Sequence, residues 1–519
     1  MSRSQRYILA RHAGRFFSAA LVLIVSAWLV ACGAGVTGGG NPPGPPPAAT
    51  TLTAAEVNSL VQKTAEAADP NTMVIAVADR AGRILAVWRK PSAPVMAVGN
   101  FGALVDANEL AVSLARTAAF FSNNQAPLSS RTVRFISGRH FPPGVDFTPN
   151  AALYGIENTN RGCTISTNYI PGKTVPPARN IAGTGTGLGI TTGKANLNDS
   201  DPAAVNPGGM PLFRDGVVVG GIGVAGVAPD VAEYAAFASA VGNGFGPSPA
   251  PPGVVFIDGI ALPFVNQTVR PSGVGPGSFT GSYIVGPVAS PGAPPEGDLI
   301  APANGPVGGL TAAEVRTIID NAIATSNTTR AVIRLPLGSR ARMVIAVADL
   351  DGTVIGLHRM ADSTVFSIDV AAAKARNMVY FNSTARTVAD LNDVPIGTAV
   401  TSRTINFGAQ PLYPPGIEAP AGPFFNIYVN DVANPCSQGF QPPGPNQSGI
   451  VFFAGSLPLY RGNTLVGGLG ISGDGVEQDD FVAAGGAVGF DAPTAIRADQ
   501  LIVRNARLPY LKFPRNPTE

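Results

Sequence analysis

Beyond residue 31 the chain carries two histidines, His140 and His358. Strand alternation from Thr353 puts Val354, Gly356, His358 and Met360 on one face. An imidazole and a thioether then stand side by side on a pocket wall, and both groups can ligate a metal. The plainer alternative is a half-buried histidine beside a core methionine, because Trp88 fills the matching slot of the internal repeat described below. Asp369 and Lys374 lie five apart on one helical stretch, with Arg376 two further on. They offer a carboxylate and a point-charge cation, or else a solvated helix surface. His140, in the loop RHFPPG, is a functional loop residue or a plain surface histidine.

Several chemistries are excluded. Two distant histidines and no Cys/His cluster make no structural zinc site. The run GTGTGLGITTGK, ending at Lys194, has Leu188 where a phosphate loop needs its first glycine, and Ala195 follows the lysine. The runs Gly220–Gly226 and Gly467–Gly473 lie inside strand sequence, which rules out a dinucleotide loop. Their bare backbones suit close approach by a helix or ligand. No Ser/His/Asp arrangement has a workable spacing. Asp79 and Asp349 read as caps of hairpin turns.

These residues belong to a sequence that contains one pattern twice. LTAAEV begins at Leu52 and again at Leu310; MVIAVAD begins at Met73 and Met343. ARTAAFFSN from Ala115 aligns with ARNMVYFNS from Ala375, and RTVRFISGRHFPPGV from Arg131 with RTINFGAQPLYPPGI from Arg403. VVVGGIGVAG matches TLVGGLGISG, and DGIALPFV matches RNARLPYL. The predicted organisation is a signal segment (1–31), a tether (32–51), domain 1 (52–265), a Pro/Gly-rich linker (266–309) and domain 2 (310–519). Thr53/Glu56 and Thr311/Glu314 form capping boxes before helical apolar spacing. MVIAVAD then turns at Asp-x-x-Gly into a second strand. Helices are predicted over 106–121 and 367–381, then a Gly-rich hairpin, a helix at 230–241 or 477–488, and a last strand. The fold class is α+β, an antiparallel sheet with helices packed on it. The inserts, about 122–209 and 382–456, read as long loops able to carry recognition.

The N-terminus reads as a targeting segment. Arg3, Arg6, Arg11 and Arg15 precede an apolar stretch from Phe16 to Val30. Leu29-Val30-Ala31-Cys32-Gly33 resembles a bacterial lipobox, which makes Cys32 an acylated N-terminus. Gly33, in place of an aspartate, favours the outer membrane over inner-membrane retention. The tract from Gly33 to Thr50 reads as an extended tether. Removing four arginines with the signal leaves 31 basic against 33 acidic groups, and no basic patch suggests nucleic acid. Cys163 and Cys436 remain, an even pair in an oxidising compartment. The offset between the aligned inserts puts Cys163 one residue from Cys436, so loops meeting near a pseudo-twofold axis would join them. The alternative is two free, buried thiols.

LTxxEV, AVAD-x-x-G, R-M-x-D with SIDVAxxKAR, and LPLYRGNTLVGGLGISG-x-x-x-x-x-D together resemble the GlcG/HbpS-like haem-binding family. The resemblance covers most of both copies outside the inserts and is fullest in copy two. Copy one has Leu114 opposite Lys374, Glu109 opposite Asp369, and Trp88-Arg89-Lys90 opposite His358-Arg359-Met360. The resemblance implies two profilin-like domains, oligomerisation, and binding of haem or another small ligand. It also implies that His358 or Met360 approaches the metal, with Arg359, Asp369 and Lys374 around the ligand and Lys374 meeting a carboxylate. The family has no common catalytic mechanism, so the resemblance argues weakly for an enzyme. Three functions stay open: a membrane-anchored haem or small-ligand binder, a pseudo-dimeric scaffold for a protein partner, and an enzyme acting on a small hydroxy acid.

Overall fold

The computed structural model describes residues 50–99, 104–137, 141, 153, 156, 207–247, 255–414, 420–434 and 436–519. Cys32, His140, Cys163 and Lys194 lie outside these residues.

Helix α1 (Ala54–Ala67) starts at the expected box: the Glu56 amide donates to Thr53 Oγ1, and the Thr53 amide donates to the Glu56 carboxylate. Strands β1 (Val74–Asp79) and β2 (Ile84–Arg89) form the first hairpin. A short ribbon, β3 (Met96–Val98) with β4 (Leu104–Asp106), leads into α2 (Ala107–Phe121), which Asp106 caps. Then follow α3 (Ser130–Ser137), the hairpin β5 (Gly209–Arg214) and β6 (Val217–Ala225), α4 (Pro229–Gly242), and a two-residue ribbon β7 (Phe256–Ile257) with β8 (Ile260–Ala261). The connecting stretch supplies β9 (Ser282–Val285) and β10 (Gly297–Ile300). Copy two repeats the order: α5 (Ala312–Thr328), β11 (Val344–Ala348), β12 (Val354–Arg359) and α6 (Ser367–Asn382). Its insert holds α7 (Ser402–Gly408) and α8 (Phe425–Ala433). Then come β13 (Ser456–Arg461), β14 (Thr464–Ser472), α9 (Val476–Gly486), and the ribbon β15 (Ile502–Val503) with β16 (Ala506–Arg507).

Two five-stranded antiparallel sheets result, β5-β6-β1-β2-β9 and β13-β14-β11-β12-β10. The α+β expectation holds. One expectation about loops does not. The linker 266–309 is not a bare connector, because it supplies the edge strand of both sheets through backbone pairing with β2 and β12. The insert of copy two, expected as a long ordered loop, also forms helices and contributes to the core. Ile405, Phe424, Ile427, Ile450 and Phe452 from it are buried in the domain core.

Each sheet takes one helix at very short range. A Cβ on Gly221 or Gly223 of β6 would collide with Ala115 O or Ala111 O of α2. A Cβ on Gly468 or Gly470 of β14 would collide with Ala375 O or Ala371 O of α6. The opposite face of the second sheet carries α5: a Cβ on Gly356 would run into Val315 and Ile319.

The two copies pack together within residues 48–519. The Val365 amide donates to Phe120 O at 3.1 Å, and the rings of Phe121 and Phe366 stack with centroids 4.0 Å apart. Beside them, buried Arg334 bonds Asp362 at 2.6 Å, Asp474 and Gln125, while the Asn124 amide donates to Asp362. Among the described residues no helix is long and apolar enough to cross a membrane.

The glycine contacts give a direct test. Gly470→Ala and Gly223→Ala should each cost ~3 kcal/mol in chemical denaturation, because backbone rather than a movable side chain blocks the methyl group. Gly292→Ala, with nothing near its Cβ position, should leave stability unchanged.

Candidate functional site

The strand carrying His358 is offset by a bulge. Val347 pairs with Gly356, but Ala348 pairs with Val354, so one residue of β12 is extra. Val354 therefore joins the α6 side of the sheet, while Gly356, His358 and Met360 keep the α5 side. The predicted four-residue face is corrected to three.

On that side His358 is half-buried, with 18% of its side chain exposed, and its Nδ1 lies 2.7 Å from Asp298 of β10. Burial acts to raise the Asp298 carboxyl, but hydrogen bonds from His358 and from Arg316 of α5 hold it below the usual range. Copy one fills the same register position with Trp88, buried and stacked on Phe279. Met360 is core: its sulfur accepts the Met343 amide at 3.4 Å. It is not the neighbouring metal ligand that the alternation predicted. Arg359 is buried as well, donating to Ser363 O and to Glu296.

Lys374 lies across the sheet from His358, on α6. It is fully buried, and its ammonium donates to Ile471 O at 2.6 Å and to Asp479 Oδ2 at 3.0 Å. The Phe453 ring sits 4.9 Å from the nitrogen. The expectation that Lys374 and His358 hold the two ends of one ligand is therefore corrected. The sheet separates them, and the ammonium is already engaged. Asp369, in the first turn of α6, contacts neither group; burial pushes its carboxyl up to about 7.

The group that sequence reasoning passed over is Asp479. It ends the family-like motif, yet no role was attached to it. It is 3% exposed, and its Oδ1 has no hydrogen-bond partner. Burial pushes its carboxyl up to about 7, with Lys374 pulling the other way; Lys374 itself is pushed down by burial. Copy one exposes what the pair is for. A Cβ on Gly455 would meet Asp479 and the Lys374 ammonium; a Cβ on Gly208 would meet Ala232 and Leu114. Lysine and aspartate in copy two thus replace leucine and alanine in copy one, at one place in one fold. The paired change is legible in the sequence, where Leu114 aligns with Lys374 and Ala232 with Asp479.

Asp479 also lines a cavity of about 100 Å³ between the copies. Its walls are Phe121, Leu128 and Ile136 from copy one, and Phe366, Phe453 and Val476 from copy two. The Ser472 hydroxyl faces the same space and bonds Ser367 at 3.0 Å. Asp258 and Glu477 also border the cavity, and Glu477 pairs with Lys512. Among the described residues no cluster of three His, Cys, Asp or Glu is placed to hold a bare metal ion.

Residues 310–487 match the family described as haem degrading protein HbpS-like, a stretch that lies wholly in copy two. No curated protein matches the chain. Among solved structures, the crystal structure of a PduOC:heme complex is 22% identical, over 36% of this chain and 97% of that one, with a TM-score of 0.23. The Klebsiella pneumoniae protein ORFY is 18% identical, over 35% of this chain and 90% of its own, with a TM-score of 0.23.

Copy one predicts how the buried pair responds to substitution. Lys374→Leu and Asp479→Ala alone should each cost ~3–5 kcal/mol, because each leaves a buried charge without its partner. The double variant, which copies Leu114 and Ala232, should fall within ~1 kcal/mol of the parent, a large coupling in a double-mutant cycle. Lys374→Leu should also be pH-sensitive. A carboxyl raised in the folded state stabilises below its unfolded value, near 4, and loses that contribution as pH rises through its folded value. Lys374 pulls that value down in the parent, so its removal raises the carboxyl further, and the deficit of this variant relative to the parent should grow as pH rises above about 7.

Proposed function

We propose that the chain is a lipid-anchored extracytoplasmic protein of two GlcG/HbpS-like domains, and that copy two binds haem or a related small ligand. The match of residues 310–487 to the HbpS-like family carries the reading. The surroundings of His358 support it. A haem needs one protein ligand on its iron rather than a multi-residue cage. His358 is the imidazole of copy two, partly exposed, and Asp298 engages its Nδ1, which leaves Nε2 as the ligating nitrogen. A carboxylate behind a ligating imidazole fixes its tautomer and raises its basicity. Arg316, on the same side and partly exposed, pairs with Asp298 and Asp320, so a propionate there would share its guanidinium with these carboxylates. A bound haem would supply an iron centre there; His358 would hold it, and Asp298 would orient His358.

Hemin added to the purified protein should give a shifted Soret band that titrates to one equivalent. His358→Ala should weaken binding roughly a hundredfold and Asp298→Asn roughly tenfold. An unshifted Soret band, or two variants that bind like the parent, overturns the haem reading.

The anchor rests on the lipobox-like run ending at Cys32, since two or more acyl chains hold a protein stably at a membrane. Acylation of Cys32 would leave Cys163 and Cys436 as an even pair, able to join as a disulfide in an oxidising compartment. Mass spectrometry of the unreduced mature protein should find an acylated Cys32 at the N-terminus and a Cys163–Cys436 peptide. An unmodified N-terminus elsewhere ends the anchoring proposal, and alkylation of both cysteines in unfolded, unreduced protein ends the bridge.

A further inference from the structure

We propose that the chain binds further copies of itself head to tail, the β3–β4 ribbon of one molecule docking on the apolar end of the copy-two insert of the next. The proposal does not depend on what His358 binds.

The contact inside the chain supplies the pattern. The corner that joins β12 to α6 in copy two carries Val365 and Phe366. It packs on the last turn of α2 in copy one, at Phe120 and Phe121. The corner before a helix in one copy thus meets the end of the equivalent helix in the other. Such a contact is heterologous, because its two surfaces differ. One surface of each kind is therefore left over: the corner of copy one and the α6 end of copy two.

Both leftover surfaces are apolar and exposed. The corner of copy one runs from Pro91 to Asp106, against 361–366 in copy two, and is built out into the ribbon. Val98 pairs with Leu104 and Met96 with Asp106, so Met96, Val98 and Leu104 share one face, while Ala97 packs back into copy one. Val98 and Leu104 are 64% and 65% exposed. A two-stranded ribbon is marginal by itself, and a grouped apolar face of this kind marks a contact surface.

At the other end, Phe381 of α6 aligns with Phe121 of α2, and the insert covers it. Asp390 there accepts from the Tyr380 hydroxyl at 2.6 Å and from the Phe440 amide at 2.8 Å, and Asn430 of α8 donates to Gly439 O at 2.6 Å. Around these bonds stand Val388, 67% exposed, Val429, 51% exposed, and Phe440. The insert thus moves the receiving surface outward and renews it as an apolar patch. A second copy is the occupant because each molecule carries both halves of a contact that it already makes once within itself. Repeated between molecules, the contact closes into a ring or runs on as a filament.

The test uses the full-length protein in detergent solution, with mass read by sedimentation velocity and light scattering. The parent should form complexes of two or more chains. Leu104→Asp and Val429→Asp change exposed residues, so the far-ultraviolet circular dichroism should stay that of the parent. Each variant alone should associate roughly tenfold or more weakly, since a charge would be buried without a partner. Mixed in equal amounts, the two variants retain one intact contact between unlike chains and should form pairs and nothing larger. The proposal is overturned if the parent is monomeric at every concentration, or if either variant assembles as the parent does. A mixture that stays monomeric would overturn it too, because a contact of ribbon with ribbon, unlike a head-to-tail one, is not restored by mixing.

Discussion

The contact on which this architecture depends is the near-touching of a helix and a glycine-bearing strand. In copy two, α6 lies so close to β14 that the carbonyls of Ala371 and Ala375 occupy the space where side chains would stand on Gly470 and Gly468. Only glycine permits that distance. The distance in turn sets how far a side chain on α6 can reach. Lys374 is long enough to pass over the end of β14 and find both Ile471 O and Asp479. Were the helix held a methyl group further away, the ammonium would be buried without its carbonyl. The same arrangement of α2 on β6 in copy one ends in leucine packing, so the close approach is structural in both copies, and its polar exploitation belongs to one.

Buried charge is used in two different ways. At the junction of the copies, Arg334 joins Asp362, Asp474 and Gln125, and so ties residues from both repeats into one arrangement. Desolvation offsets much of the attraction in such a network, so the charges themselves add little net stability there. The Lys374–Asp479 pair spans no such junction. It sits within copy two, and copy one shows the fold complete without it.

Much of the fold was legible locally. Capping boxes, hairpin turns and the repeat itself are written in adjacent residues, and Thr53, Thr311, β1–β2 and β11–β12 stand where they were expected. What escaped depends on partners distant in sequence. The bulge that moves Val354 across the sheet arises from the pairing of β11 with β12, not from any pattern within β12. Met360 was placed on the right face, but its depth follows from the Met343 amide and the core around it. His358 and Lys374 were read as one site because they are close in sequence and share a family pattern; the sheet that divides them is assembled from strands over a hundred residues apart. Glycine and proline made residues 266–309 read as a connector, although backbone pairing asks little of side chains.

That connector has a consequence for how the molecule can be divided. Because β9 closes the β2 edge of one sheet and β10 the β12 edge of the other, the boundary of the repeat and the boundary of the fold do not coincide. A fragment beginning at Leu310, where the repeat begins, would lack β10 and leave the backbone of β12 unpaired along its outer side. Exposed edges of that kind recruit other chains. A protease cut between β9 and β10 would instead leave each half with its own edge strand. The duplication is therefore divisible within the connector and not at the point where the sequence starts again.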